Sequence, residues 1–359
     1  MILKSLFVKN FRNIEEEQSD FSENFNIFFG KNGQGKTNFI ESIYFSGMSK
    51  SFKTRNFNDI IMNQDKKNSI YTSGIFYYNK TVKKIENKID NSSRELMVNS
   101  LATDFSELLN YNSFITFLPD DLRIIKGEPG YRRKFLNETA SFIYPGYYPA
   151  LLKYSKILLN RNMLLKKRQN YRIWDEMFIE TANYILDKRK KVIEEFCKEF
   201  SRIYSVIADN DTELKIDYRG HDNIDQKIVD KNRLKDESLG YVSFGPHRDD
   251  LIIKMDNFNV KNTASQGQIR TLVLTMKIAQ TLTIEKIKKD KPVIILDDVL
   301  SELDINRQRN LINLLSDKGQ IFITANDINK NIIELMENYK IFHIREGKIE
   351  RKQQILKAG

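Results

Sequence analysis

The sequence predicts an α/β nucleotide-binding protein with an antiparallel β subdomain and a core interrupted by a helical insert. Three observations lead there. The stretch Gly30-Lys31-Asn32-Gly33-Gln34-Gly35-Lys36-Thr37 fits G-x-x-x-x-G-K-[ST], with an apolar strand before it and an amphipathic helix after it. Pro292-Val293-Ile294-Ile295-Leu296 is a second apolar strand, and it ends in the paired carboxylates Asp297 and Asp298. Between them, from Pro149 onward, apolar residues recur at helical spacing.

Taken in order, Ile2, Leu3, Leu6, Val8 and Phe11 sit at near-alternate positions and predict a strand ending at Asn10-Phe11-Arg12-Asn13. Asn26-Ile27-Phe28-Phe29 reads as the buried strand that delivers the glycine-rich loop. Glycines let backbone N–H groups curl around phosphate oxygens, and the helix that follows adds the positive end of its dipole. Lys36 is then placed to reach β- and γ-phosphates, and the Thr37 hydroxyl to hold Mg²⁺. Ser49-Lys50-Ser51-Phe52-Lys53-Thr54-Arg55 is a basic loop without an acid, facing phosphate or simply solvated. From Ser69 to Val98 the pattern predicts an antiparallel meander, with turns at Asn79-Lys80 and Asp90-Asn91-Ser92-Ser93. Phe114 to Leu118 is another buried strand, stopped by Pro119-Asp120-Asp121, and Gly127-Glu128-Pro129-Gly130 reads as a linker-like turn.

In the insert, Leu151, Tyr154, Leu158 and Leu165 form one helical face, and Trp174, Met177, Phe178, Thr181, Ile185, Val192, Phe196, Phe200 and Ile203 form a second. Gln169-Asn170-Tyr171 turns one helix back against the other, and the second spans about 45 Å from Trp174 to Tyr204. No acidic residue lies between Glu138 and Asp175, whereas Lys153, Lys156, Arg161, Lys166, Lys167, Arg168 and Arg172 are all basic. Tyr144, Tyr147, Tyr148, Tyr154 and Tyr171 are interleaved with them. Cations neutralise phosphates and aromatic rings stack on bases, so the arm is a candidate DNA surface; the other reading is a solvated helix face whose tyrosines belong to the core.

Gly240 to Leu251 leads the chain out of the arm. His247 stands beside Asp249 and Asp250, but His221 and His343 are the only other histidines and bring no matching ligand cluster, which excludes a metal-enzyme centre. A structural or phosphate-facing turn is expected there. Ser265-Gln266-Gly267-Gln268 opens a long helix, a second place where helix N–H groups face an anion. Asp297 is placed to hold Mg²⁺ through its hydration shell, and Asp298 to polarise an attacking water.

The chain has 359 residues, 40% hydrophobic and 30% charged, with net charge +10 and pI near 9.3, which suits a water-exposed globular protein with an anionic partner. A single cysteine, Cys197, excludes disulfides and cysteine metal clusters within one chain. With neither a signal-type N-terminus nor a membrane-length apolar run, a cytoplasmic protein without a membrane partner is expected.

The loop, the S-x-G-Q helix start, the strand ending in two acids and Ser301-Glu302-Leu303-Asp304 together resemble an ABC-type P-loop ATPase head, and the helical interruption resembles the SMC and Rad50 group. Closer still, Asn10-Phe11-Arg12-Asn13, Gly30 to Thr37, Phe117 to Leu122, Gly245-Pro246-His247-Arg248-Asp249-Asp250-Leu251, Ser265 to Gln268 and Leu296 to Asp304 are similar to the RecF family over nearly the whole chain. On this resemblance residues 1–118 are the first part of the head, 119–240 a short helical arm, and 241–359 the second part of the head. The resemblance implies ATP and Mg²⁺ as cofactors, a head-to-tail ATP-dependent homodimer, weak DNA-stimulated hydrolysis, and binding to double-stranded and gapped DNA with the mediators RecO and RecR to load a recombinase. It also implies that Ser265, Gly267 and Gln268 lie at the nucleotide held by the other subunit, with Arg12 near the nucleotide of its own. No histidine follows Ile321-Phe322-Ile323-Thr324-Ala325; Asn326 or Asp327 stands where one is expected, which leaves the γ-phosphate sensor open. The competing classes are a Rad50/SMC-like head serving a nuclease, against which the short arm without Cys-x-x-Cys speaks, and an ABC transporter subunit, which gives no reason for an acid-free aromatic arm.

Overall fold

The computed structural model describes residues 1–62, 69–90, 93–208, 212–327 and 330–355, with the backbone alone at 330 and 351–355. The chain forms two compact units, Met1–Asp121 with Gln280–Gly359, and Leu122–Ala279.

The first unit holds two six-stranded sheets. One is antiparallel throughout, in the order Ile14–Asp20, Ile2–Phe11, Ile70–Tyr78, Thr81–Ile89, Arg94–Val98 and Leu101–Ala102. It contains the expected meander and also takes in the N-terminal strand, whose alternating apolar side buries Leu3, Leu6, Val8 and Phe11. Asn79 and Lys80 turn the central hairpin with φ of 46° and 63°, the left-handed pair that a two-residue hairpin demands. Of the other expected turn, Asn91 and Ser92 lie outside the described residues; the Asp90 N–H closes onto the Ser93 carbonyl at 3.1 Å.

The other sheet is mixed, in the order Lys348–Ile355, Tyr339–Arg345, Phe25–Phe29, Gln320–Ala325, Val293–Asp297 and Phe114–Phe117. All its pairings except the first are parallel. A parallel sheet is covered on both faces, which explains why Val293–Asp297 and Gln320–Ala325 are buried along their whole length and read as continuous apolar runs. Parallel alignment also brings the carboxyl ends of Phe29, Ala325, Asp297 and Phe117 to one edge, where such sheets bind ligands.

The second unit contains the helices Pro129–Ile143, Tyr147–Lys166, Asp175–Ala208 and Gln226–Leu239, and a three-stranded sheet in the order Phe258–Asn259, Asp250–Met255, Leu214–Arg219. The turn at Gln169-Asn170-Tyr171 joins the two long helices, as expected. The linker-like turn at 127–130 needs correction, because a helix begins at Pro129. Proline costs nothing in a first helical turn, where its missing N–H has no partner to lose. Residues 241–279, assigned from the sequence to the head, sort instead with the helical unit. The strand Asp250–Met255 pairs along its whole length with Leu214–Arg219 of that unit, and ion pairs fasten the turn before it. Asp249 meets Arg189 of the long helix at 2.8 Å with both side chains buried, and also accepts from the Tyr218 hydroxyl. Asp250 takes a two-toothed contact from Arg132 at 2.6 and 3.0 Å.

His247 is wedged into the same turn. Its Nε2 lies 3.0 Å from the Val242 carbonyl, which can only accept, so Nε2 carries the proton and Nδ1 accepts from the Tyr154 hydroxyl at 2.7 Å. Burial pushes the His247 pKa down, the Val242 contact opposes it, and Arg248, Arg133 and Arg189 add to the lowering, which brings it to about 4. The folded pKa lies below the ordinary value, so this stabilisation is complete above pH ~6.5 and is lost as pH falls towards 4, worth about 3 kcal/mol in all. Urea unfolding of the intact chain at pH 7 and pH 4.5 should show a larger loss of stability than His247→Gln shows; equal losses would mean that His247 is not neutral in the fold.

Candidate functional site

The glycine-rich loop leaves the strand Phe25–Phe29 and enters the helix Lys36–Met48, as its sequence predicts. Gly35 caps that helix with φ 105°, a left-handed conformation, and a Cβ there would stand 2.7 Å from the Asn13 side-chain nitrogen. Only glycine fits. Lys31, Asn32 and Gly33 are exposed at the loop's crest. Gln34 is anchored, its side chain accepting from the Glu346 N–H and its carbonyl from the Gly347 N–H, both at 2.9 Å.

Lys36 folds its ammonium into this loop. It donates to the Gly30 carbonyl at 2.7 Å, to the Lys31 carbonyl at 3.1 Å and to the Asn326 side-chain oxygen at 2.8 Å. Burial lowers its pKa, and Asp298 and Asp297 oppose the shift. Of the two residues after the last core strand, it is therefore Asn326 that meets the loop lysine. The Thr37 hydroxyl donates to Asp297 Oδ1 at 3.0 Å, and the Thr324 hydroxyl donates to the same oxygen at 2.8 Å. Burial raises the Asp297 pKa, and the hydrogen bonds from Thr324 and Thr37 hold it back. Asp298 adopts φ 56°, a strained conformation for a residue with a side chain. Its N–H donates to Thr324 Oγ1 at 2.8 Å and its carboxylate accepts from Ser301 at 2.9 Å. Lys36, Thr37, Asp297 and Asp298 thus converge, joined by Asn326, one of the two residues the sequence offered after the strand, and by Thr324, which the sequence did not single out. Thr37 and Asp297 offer neighbouring hard oxygens, the donor type that Mg²⁺ takes beside phosphate oxygens and water.

Arg12 is held by a carboxylate missing from the sequence reading. Glu41, fully buried on the loop's helix, accepts from Arg12 Nε at 3.0 Å and Nη2 at 2.9 Å, while Arg12 Nη1 donates to the Asp59 carbonyl at 2.6 Å. The basic loop Ser49–Arg55 folds onto the same acid: Lys53 lies 3.8 Å from Glu41 and donates to Asn38 at 3.1 Å. Burial lowers the Lys53 pKa; Glu41 and Asp297 raise it, and Arg12 lowers it. A charged residue on the buried side of an otherwise apolar helix was the available signal for Glu41.

In the second unit Ser265 and Gln268 form a reciprocal cap at the start of Gln266–Lys288. The Ser265 hydroxyl accepts from the Gln268 N–H at 3.2 Å, and the Gln268 side chain accepts from the Ser265 N–H at 2.8 Å. All four residues from Ser265 to Gln268 are exposed, and a Cβ at Gly267 would meet only open space.

The basic arm is corrected at Arg161, which is 1% exposed, paired with Asp175, and packed over the Tyr171 and Phe178 rings. Tyr147, Tyr154 and Tyr171 are buried too, so they stack in the core and not on bases. Lys153, Lys156, Lys166, Lys167, Arg168 and Arg172 are exposed, and Lys153 makes a loose surface pair with Glu180 at 3.4 Å. Among the described residues no helix is long and apolar enough to cross a membrane, and no cluster of three metal-ligating acids, histidines or cysteines occurs.

The parallel sheet, its glycine-rich loop and the acid-ended strand define an ATPase head of the ABC and SMC class. A structure described as "Crystal structure of the SmcHead bound to the C-winged helix domain of ScpA" shares this fold at TM-score 0.61 and 15% identity, over 99% of this chain and 98% of that one. The family model described as "RecF/RecN/SMC N terminal domain" matches residues 2–350. A "DNA replication and repair protein RecF" of Clostridium kluyveri is 38% identical over 371 residues, covering 98% of this chain and all of that protein, and one of Clostridium botulinum is 36% identical over 362 residues, covering 97% and 99%. "Structure of the recombination mediator protein RecF-ATPrS in RecFOR pathway" superposes with TM-score 0.85 at 30% identity, over 98% of both chains. The chain belongs to the RecF family.

Glu41 is the carboxylate on which Arg12 and Lys53 converge, and breaking a buried pair leaves the surviving charge without its partner. Glu41→Gln should lower unfolding stability by about 2 kcal/mol, the usual buried-pair loss discounted because both cations are partly exposed. An unchanged urea midpoint would show that neither cation depends on the acid.

Proposed function

We propose that this chain is an ATP-dependent DNA-binding protein of replication and recombinational repair, and that an ATP-induced head-to-tail dimer clamps DNA at single-strand gaps. In this reading it works in the cytoplasm with the mediators RecO and RecR, and slow DNA-stimulated hydrolysis resets it. The observation that carries the proposal is the junction of Thr37 with Asp297, which sets the loop hydroxyl and the strand-end carboxylate at 3.0 Å on one sheet edge. Support also comes from the relatives, two of whose solved structures are described as RecF with ATPrS and with ATP.

The backbone N–H groups of Gly30 to Gly35 cradle phosphate, and Lys36 exchanges its contacts with the Gly30 and Lys31 carbonyls for phosphate oxygens. Asn326, already on Lys36, is the side chain at the γ-phosphate end. Thr37 and Asp297 hold Mg²⁺, which when bound neutralises charge on the β- and γ-phosphates. Asp298, oriented by Ser301 and its left-handed backbone, polarises the attacking water. Arg12 and Lys53, gathered by Glu41, supply fixed positive charge beside the site. Ser265, Gly267 and Gln268 present an exposed helix start to the γ-phosphate of the other copy. The exposed lysines and arginines of the arm, without Arg161, face DNA.

Two substitutions separate these roles. Lys36→Ala should cut ATP affinity on the order of 100-fold and with it ATP-dependent dimerisation, because the ammonium is a direct phosphate contact. Ser265→Arg should leave ATP affinity of the monomer within about twofold and still block the dimer, because 1.4 kcal/mol is a tenfold change and no nucleotide contact is lost in the monomer. Nucleotide titration and light scattering read both. Full dimerisation of Lys36→Ala, or loss of ATP binding in Ser265→Arg, contradicts the assignment.

A further inference from the structure

The turn Gly245–Leu251 is not absorbed by the nucleotide site, yet Arg132, Arg133, Arg189 and Arg248 all converge on it. Arg132 is matched by Asp250 and Arg189 by Asp249. Asp249 also accepts from Tyr218, so both carboxylates of the turn are committed. The other two arginines are held differently. Arg133 donates through Nη1 to the Asp249 carbonyl at 2.9 Å. Arg248, exposed, comes no nearer than 3.5 Å to the Val242 carbonyl and lies over the Tyr241 ring, 4.9 Å from its centroid. Neither makes an ion pair among the described residues.

The two cations feel each other. Burial lowers the Arg133 pKa, with Arg189 next in lowering it; Asp250 and Asp249 oppose them, and Arg248 lowers it again. Two carboxylates face four arginines at this turn, so the repulsion among the cations is only partly offset, and a further anion brought to Arg133 and Arg248 relieves it. A guanidinium offers five donors in a planar fork that fits a phosphate with two parallel hydrogen bonds. Arg133 uses one nitrogen on the turn and keeps the rest of its fork, while the ring beneath Arg248 restrains its guanidinium by stacking. The setting is an open surface without a glycine-rich backbone cradle, since Arg248 is exposed and Tyr241 is 37% exposed. That suits a polymer's phosphodiester backbone better than an enclosed free nucleotide.

We propose that Arg133 and Arg248, with the Tyr241 ring beneath, form a phosphodiester-binding site for DNA on the helical unit. It rests on the DNA-binding reading above and moves the strongest contacts from the arm lysines to this arginine pair. Arg248 approaches one phosphate from the turn while Arg133 approaches the same or the adjacent one from the helix Pro129–Ile143.

The test measures binding of the full chain, with ATP, to a fluorescent gapped duplex across a salt series. Each duplex phosphate contact contributes about 0.9 to the slope of log affinity against log salt. Arg248→Gln should lower the slope by about one and the pair Arg133→Gln with Arg248→Gln by about two, with ATP affinity unchanged. Arg248→Lys should restore part of the affinity and most of the slope, because the charge remains without the fork. If loss of the Arg133 contact with Asp249 unfolds the double variant, the exposed Arg248→Gln carries the test alone. An unchanged slope in Arg248→Gln overturns the site, as does an unchanged slope accompanied by lost binding to poly-glutamate, which would make the pair a seat for an acidic protein. A wild-type chain that binds ATP but no DNA removes the underlying reading, a result distinct from failure of the site alone.

Discussion

The Asp297 carboxylate is the contact on which the nucleotide unit turns. It sits at the end of a strand buried along its whole length, where an unpartnered charge would be costly, and burial does push its pKa upward. Two threonine hydroxyls counter this: Thr37 brings in the start of the loop's helix, and Thr324 the neighbouring strand, in register with Asp297. The Thr324 oxygen then accepts the Asp298 N–H and helps hold that residue in its left-handed conformation. One acid thereby fixes the loop, two strands and the second carboxylate relative to one another. The parallel pairing of the sheet is what brings these ends to a common edge.

The second unit repeats the principle with larger groups. Asp249 and Arg189, both buried, are joined by Tyr218, Asn137 and the Pro246 carbonyl, so each charge is surrounded by hydrogen bonds. Such a pair adds little net stability over apolar packing, but it permits few alternative arrangements. It fixes the turn from which Arg248 projects and on which Arg133 leans. The two arginines outside the ion pairs are thus positioned by a network whose own charges are matched.

Much of this was legible from local patterns. The phosphate loop, the strand ending in Asp297 and Asp298, the meander and the two long helices each carry their own periodicity or motif, and each is present. What the chain did not disclose depends on partners distant in sequence. Glu41 gains its meaning from Arg12, 29 residues away, and from Lys53. Arg161 looked like one more cation in an acid-free run, but the acid that closes that run, Asp175, is its buried partner. Pro129 looks like a break in the sequence because proline punctuates loops, though it is equally at home in a first helical turn. The Ser265-Gln268 cap shows the reverse case: the same residues satisfy a helix start and present it to an anion, so the structural and functional readings coexist.

Nucleotide-controlled assembly on DNA is the proposal on which the roles of Lys36, Asp297 and Ser265 rest. Its most direct test is sedimentation of the purified chain with labelled gapped DNA, without nucleotide, with ATP and with ADP. A dimer co-sedimenting with DNA is expected in ATP alone, and monomers in the other two conditions. A monomer indifferent to nucleotide and DNA would contradict it, leaving the phosphate-loop fold in place without the clamp.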